Sequence, residues 1–467
     1  MRAIAFTTLL SSAAGAFLNP VEKMVSSVCT DSRVLEPGAV FFALKGDHFD
    51  GHAFAGAAIE AGAAAVVADA GYLAGAEAEG LRQKAKAVEC GLFAAEDSRL
   101  ALGSAAALYL SDFDVPVVAV TGSSGKTTTR RIIETLLSAE MAVHAAIKNF
   151  NNDIGVSHTI FGLDERHDLL LLEMGMNRAG ELHYLAEVAR PEVAVITNIG
   201  TAHIEYFGNR AKIAEAKKEI FDFFTNENTA IINRDDDFAE YLTAGVPGEK
   251  IYFTAADAGI EVVEDLGING YRLRCGEGQE VLFSLGGEYN ISNLAAGVVT
   301  ARKLGLTESV IAGRIEQIRG VDARTQIIVE GRFTIFNDSY NANPDSMRAA
   351  LKLLRSAGKG GRVAVIGDMF ELGSSAERLH RELGEWIASE APADTVVLVG
   401  ELMRFCREGA LRAGFSSAAI HWYPSVMQAA DEVLPLLGDG STILLKGSRG
   451  MRMERLMEKI SVPAVGY

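Results

Sequence analysis

Apolar residues recur along this chain in short solid runs, each followed by a turn and then by a stretch in which they return every three or four positions. The runs are too short for helices and read as buried strands, and the periodic stretches read as helices packed on them. From residue 115 the alternation is regular: strand 115–120, a helix to about 140, strand 169–172, a helix near 179–189, strand 193–198, a helix at 211–224, strand 229–233 and a helix at 291–304. Residues 250–285 are richer in glycine and polar residues between short strands. After about residue 321 a second series begins, with strands at 333–336, 363–366, 395–399 and 442–445 and helices at 346–356, 376–389, 401–413 and 426–437, then a last helix. Ahead of both, strands at 40–44 and 64–68 mix with alanine-rich helices around 53–62 and 99–110, preceded by an N-terminal helix. The pattern predicts an α/β protein of three domains: a small α/β domain over 1–112, a central parallel-sheet domain over 113–321 and a C-terminal Rossmann-like domain over 322–467.

Composition narrows the class. The length of 467 residues suits about three domains, and 49% apolar with 22% charged residues is ordinary for a folded chain. Lys and Arg total 44 against 61 Asp and Glu, a formal charge of −17 spread along the sequence, which argues against general affinity for nucleic acid or an anionic membrane. Cys29, Cys90, Cys275 and Cys406 lie far apart with no C-x-x-C spacing, as reduced thiols of a cytoplasmic protein would, and no zinc site is expected. The first sixteen residues hold one arginine and a short apolar stretch, loosely like a signal peptide, but Thr7 and Thr8 break that stretch. No segment reaches the ~18 apolar residues of a spanning helix, so membrane insertion is not expected.

The sharpest chemical signal is Thr121-Gly122-Ser123-Ser124-Gly125-Lys126-Thr127-Thr128, directly after an apolar strand and before a helix. In such a P-loop the glycines let backbone N–H groups converge on phosphate, the lysine reaches the outer oxygens, and Thr127 can ligate magnesium. Val120 stands where the full spacing has glycine, so the loop is a shortened form. Strand 169–172 ends at Glu173, placed to hold a magnesium ion or to cap the next helix. The next strand leads to His203, an ordinary histidine alone but a candidate metal or substrate contact beside Lys126, Thr127 and Glu173. Lys217, in Ala214-Glu215-Ala216-Lys217-Lys218-Glu219, reads as part of a solvated, charge-paired helix face. Asp338-Ser339-Tyr340-Asn341-Ala342-Asn343-Pro344-Asp345 reads equally as turn chemistry or as a site. The C-terminal domain has Gly367-Asp368-Met369 in its first turn and lacks G-x-G-x-x-G, which argues against a dehydrogenase.

These segments together resemble the Mur ligases, ATP-dependent amide-forming enzymes of bacterial peptidoglycan precursor synthesis, through all three domains. Asn149-Phe150-Asn151-Asn152-Asp153-Ile154-Gly155, Glu173-Met174-Gly175-Met176-Asn177 and the run 338–347 resemble the branch that joins D-alanyl-D-alanine to UDP-N-acetylmuramoyl-tripeptide. The D-N-P-R element of the sister ligase that adds the third amino acid is not found. The resemblance implies ATP and Mg2+ as cofactors, with Gly122, Ser123, Ser124, Gly125, Lys126, Thr127 and Thr128 on the phosphates, and Thr127, Glu173 and His203 around magnesium. It makes Lys217 a lysine modified to a carbamate, Asn290 and Asn293 the residues near adenine, Arg324 the γ-phosphate arginine and Asp338 the ribose contact. It puts Ser32, Arg33, Lys45, Asn149, Asn151 and Asn152 on the UDP-muramoyl peptide, and it implies a cytoplasmic monomer. Tyr289 stands where the family usually has His, and Ser157 where the branch usually has Pro. The rival readings are a sister ligase adding a single amino acid and a nucleotide-dependent binding switch.

Overall fold

The structure is a computed structural model that describes residues 1–46, 49–75, 78–147, 149–276, 278–321, 323–357 and 360–460. The chain packs as two compact units: Met1–Ala119 with Met141–Ala194 and Glu219–Asn228, and Val120–Glu140 with Val195–Lys218 and Thr229–Tyr467.

In the first unit a five-stranded sheet runs in the order Gly15–Asn19, Gly91–Ala95, Ala65–Asp69, Val40–Phe42, Val28–Cys29. The first pair is antiparallel and the rest are parallel. The expected N-terminal helix is only the turn Phe6–Leu9, and the chain then enters the strand Gly15–Asn19. Tertiary packing decides this, because Phe17 sits edge-on between Phe6 and Phe93 with centroids 5.5 and 4.8 Å away. Helix Ser98–Leu110 starts where the Asp97 carboxylate accepts from the N–H groups of Arg99 and Leu100, a cap worth ~1 kcal/mol. It binds the later segment of the unit through Arg99 to Asp153 (2.7 Å) and Tyr109 Oη to the Leu163 carbonyl (2.7 Å).

The central sheet has the order Glu249–Phe253, Thr229–Asn233, Val193–Ile196, Val117–Thr121, Leu169–Glu173, Val143–Ala145. Strands 117–121, 169–173 and 193–196 are buried along their whole length, which is why they read as apolar runs, broken only at their carboxyl-terminal residues Thr121 and Glu173. The helix expected at 211–224 ends at Lys218 and tightens into a 3-10 turn over Glu219–Phe221. An additional helix, Glu308–Ile315, starts from a Thr307 cap; its internal Gly313 hides it from a propensity reading.

The C-terminal sheet runs Gln326–Glu330, Phe333–Asp338, Thr442–Lys446, Arg362–Gly367, Thr395–Val399, Ile420–Tyr423, parallel except for its first pair. Separate apolar clusters cover its two faces, one around Leu351, Leu383 and Leu398 and the other around Val397, Val433 and Leu445. This is the doubly wound arrangement, and it puts the carboxyl ends of strands 333–338, 362–367 and 442–446 side by side. No helix among the described residues is long and apolar enough to cross a membrane.

Candidate active site

Strand Val117–Thr121 delivers the chain into the glycine loop, and two glycines make that turn possible. Gly122 has φ +150° and Gly125, the N-cap of helix Lys126–Leu137, has φ +80°. A Cβ at Gly122 would lie 1.8 Å from Thr197 Oγ1, and one at Gly125 2.4 Å from Asn293 Oδ1. The loop is braced by the end of the neighbouring strand. Asn198 Oδ1 accepts from the Ser124 N–H (3.1 Å), and Thr197 Oγ1 donates to the Ser124 carbonyl (2.6 Å). Lys126 Nζ donates to the Gly122 carbonyl at 2.7 Å, and Thr127 is buried. The Ser123 hydroxyl is buried with no hydrogen-bond partner among the described residues. An orphaned hydroxyl, left-handed glycines and a helix N-terminus fit a phosphate group.

On the next segment His203, itself at φ +62°, sets Nδ1 2.7 Å from Glu371 Oε2. The His203 imidazole, and Lys126 beyond it, hold the Glu371 carboxyl below its ordinary range despite burial. Asp345 fastens the same segment, its Oδ2 accepting from the Thr201 N–H (3.0 Å) and hydroxyl (2.9 Å). Lys217 is 1% exposed, which overturns the solvated-face reading. Burial pushes its amine well below the ordinary lysine range, and Lys126 adds to the shift.

Asn290 and Asn293 form a buried pair behind the loop. Asn290 Nδ2 donates to the Gly286 carbonyl, Asn293 Nδ2 to Asn290 Oδ1, and Asn293 Oδ1 accepts from the Thr129 hydroxyl. Tyr289 is half-buried, with its hydroxyl 3.4 Å from Thr325 Oγ1. Arg324 lies between Ala323 (φ +57°) and Thr325 (φ +50°), two strained positions, and stacks its guanidinium 3.9 Å over the Tyr340 ring. Asp338 ends its strand with Oδ1 accepting from the Thr325 N–H (3.1 Å) and Oδ2 2.5 Å from Lys446 Nζ. Asn343 caps helix Pro344–Arg355 in a reciprocal capping box with Ser346, so part of the 338–345 run is turn chemistry.

In the first unit, Glu173 is 1% exposed and accepts from Asn151 Nδ2 at 2.9 Å. The helix after it is capped by Gly180, so Glu173 is not its cap. Asn152 caps helix Asp153–Phe161, and Ser157 within that helix returns its hydroxyl to the Asp153 carbonyl. Thr30, Asp31, Phe150, Asn152 and His158 help line a pocket of about 490 Å³, the size of a small-molecule site. His158 Nε2 is 3.0 Å from Thr30 Oγ1, and burial pushes its pKa down. Arg33 projects into solvent paired with Asp31 (2.6 Å), whose carboxyl it pulls down to about 2. Ser32 is partly exposed and starts a 3-10 turn capped by Asp31, Lys45 is exposed with its backbone in an isolated antiparallel β-bridge to Asp50, and Asn149 is exposed.

The sequence reading missed Glu371 and gave no individual role to Asn198, Asp345 or Lys446. Glu371 was detectable in principle, since it lies just beyond the carboxyl end of strand Arg362–Gly367, where ligands bind in such sheets. Among the described residues no group of three or more His, Cys, Asp and Glu is placed to hold a metal ion. Magnesium at a nucleotide is commonly held by one or two carboxylates together with the phosphates, so a three-carboxylate or histidine cluster is not required for it.

Residues 24–109 match the Mur ligase family catalytic domain, 120–301 the Mur ligase middle domain and 323–449 the Mur ligase glutamate ligase domain. The chain is 32% identical to a UDP-N-acetylmuramoyl-tripeptide–D-alanyl-D-alanine ligase of Bacillus subtilis over 452 residues, 96% of each chain. The chain belongs to the Mur ligase family. The Escherichia coli ligase of the same name is 31% identical to this Mur ligase and covers 93% of it, with 94% of its own length matched. In structure, this Mur ligase is similar to MurF from Acinetobacter baumannii, with TM-score 0.86, 30% identity and 99% of both chains covered. It is also similar to MurF from Thermotoga maritima in complex with ADP, with TM-score 0.80, 27% identity, 94% of this chain and 97% of that one. Three α/β domains, the fold expected for this Mur ligase, are thus what it has.

Proposed function

We propose that this Mur ligase joins D-alanyl-D-alanine to UDP-N-acetylmuramoyl-tripeptide through an acyl phosphate, forming the pentapeptide precursor of peptidoglycan in the cytoplasm as a monomer. The domains serving it are 1–112 for the UDP-muramoyl peptide, 113–321 for ATP and 322–467 for ligation. A carboxylate resists attack by an amine; ATP supplies the phosphoryl group that makes it electrophilic, and Mg2+ offsets charge among the phosphates.

The chain's own residues position and neutralise. Gly122 to Thr128 present backbone N–H groups to the phosphates and Lys126 its ammonium. Thr127, Glu173 and His203 are the residues that would hold magnesium, and Lys217 would join them as a carbamate. Its burial supports that role, because an uncharged amine adds to carbon dioxide with loss of a proton, and the product offers two hard anionic oxygens. Asn290 and Asn293 approach adenine, Asp338 the ribose and Arg324 the transferring phosphoryl group, its stacking on Tyr340 keeping the guanidinium extended. Ser32, Arg33, Lys45, Asn149, Asn151 and Asn152 hold the UDP-muramoyl peptide.

The observation that carries this reading is a braced phosphate loop, with its buried orphan hydroxyl, in a chain that matches the dipeptide-adding ligases almost end to end. The test combines magnesium-ATP, UDP-muramoyl tripeptides and D-alanyl-D-alanine and reads product mass with phosphate release. The expected product has the mass of tripeptide plus dipeptide less water and requires both substrates. Product only with a single amino acid would make the protein a sister ligase, and phosphate without any peptide product a nucleotide-driven switch.

A further inference from the structure

We propose that Lys446 is a positioning residue that fixes the Asp338 carboxylate for the nucleotide ribose; this rests on the ribose assignment of Asp338 given above. Lys446 closes strand Thr442–Lys446, beside Phe333–Asp338, and the two residues are register partners across the parallel pair. Only 2% of Lys446 is exposed, and its Nζ lies 2.5 Å from Asp338 Oδ2 and 3.0 Å from the Asn341 carbonyl. The other carboxylate oxygen accepts from the Thr325 N–H at 3.1 Å. Held at both oxygens, the carboxylate cannot rotate, yet its side chain keeps 16% exposure and each oxygen retains a free lone pair.

Stability alone does not account for the pair. Two apolar residues of the same volume commonly stabilise a sheet as well as a buried ion pair does, because desolvating two charges offsets most of their attraction. The pair also stands at the carboxyl end of its strands, where a doubly wound sheet receives ligands. Lys446 further ties down the Asn341 carbonyl, next to Tyr340, so one ammonium orders the strand end that carries the ribose contact and the turn whose ring supports Arg324.

The experiment measures the affinity of the full chain for magnesium-ATP and for 2′,3′-dideoxy-ATP by calorimetry, without muramoyl peptide, in the unsubstituted protein and in Asp338→Asn, Lys446→Met and Lys446→Arg. The unsubstituted protein should prefer ATP by about tenfold, the size of one charge-assisted hydrogen bond. Asp338→Asn and Lys446→Met should each bring that preference to within about twofold of unity, with unchanged affinity for the dideoxy nucleotide. Lys446→Arg keeps the charge but shifts its head, and should leave an intermediate preference of about threefold even if Lys446→Met fails to fold. Full preference in Lys446→Met or Lys446→Arg, with loss in Asp338→Asn, overturns the positioning role and leaves the ribose assignment intact. Full preference in Asp338→Asn, or none in the unsubstituted protein, defeats the ribose assignment and the proposal with it.

Discussion

An amine sealed from water loses the hydration that stabilises its charged form, and Lys217 is in that state. Its neighbour shows the contrast. Lys218 Nζ reaches the Tyr241 and Ala244 carbonyls at 2.9 and 2.6 Å at the surface, whereas Lys217 turns inward on the same helix and is driven toward neutrality by burial and by Lys126. Substituting Lys217 by Ala should lower turnover by about 10²–10³, the usual size of losing one preorganised charged group. Added formate or acetate should restore part of the rate by supplying the missing carboxylate, as phosphate release would show. An undiminished rate would rule out the carbamate.

At the scale of elements, the helix Met403–Arg412 depends on a carboxylate from another strand. Asp368 follows Arg362–Gly367 and accepts from the Met403 N–H at 2.9 Å, packed so closely that a Cβ at Gly400 would lie 2.4 Å from it. Burial pushes its pKa up to about 6 from 3.8, so the folded chain holds this proton where the unfolded chain has released it. Its stabilisation is therefore full below the unfolded value and is lost as pH rises through about 6. Denaturant unfolding at pH 4.5 and 6.5 should show that loss, and Asp368→Asn should remove the difference that this group contributes. The strands and helices around this cap were legible because burial on both faces writes unbroken apolar runs. The phosphate loop was legible because its chemistry is local. Lys446 and Asp338 are 108 residues apart, and Glu371 meets His203 only through the fold, so no spacing rule reveals either pair. Lys217 was misplaced for a related reason: in A-E-A-K-K-E the charges spread around more than half of the helix, and only packing decides which faces in.

At the scale of the whole molecule, the compact units do not follow the sequence order. Helix Ser98–Leu110 finishes its packing on residues from 141–194, through Asp153, the Leu163 carbonyl and Tyr184, whose hydroxyl would lie 1.9 Å from a Cβ at Gly103. A fragment of residues 1–112 should therefore be unstable on its own, with broad amide resonances and little cooperative melting, although its sequence reads as a domain. A sharp melting transition in that fragment would contradict this account. The same interleaving sets a timetable for biosynthesis. The first unit includes Glu219–Asn228, so on the ribosome its early strands wait, partly covered, until almost half of the chain has emerged. During that interval the apolar strand Val40–Phe42 and helix Ser98–Leu110 are most open to mispairing, and nascent-chain chaperones would have their greatest effect there.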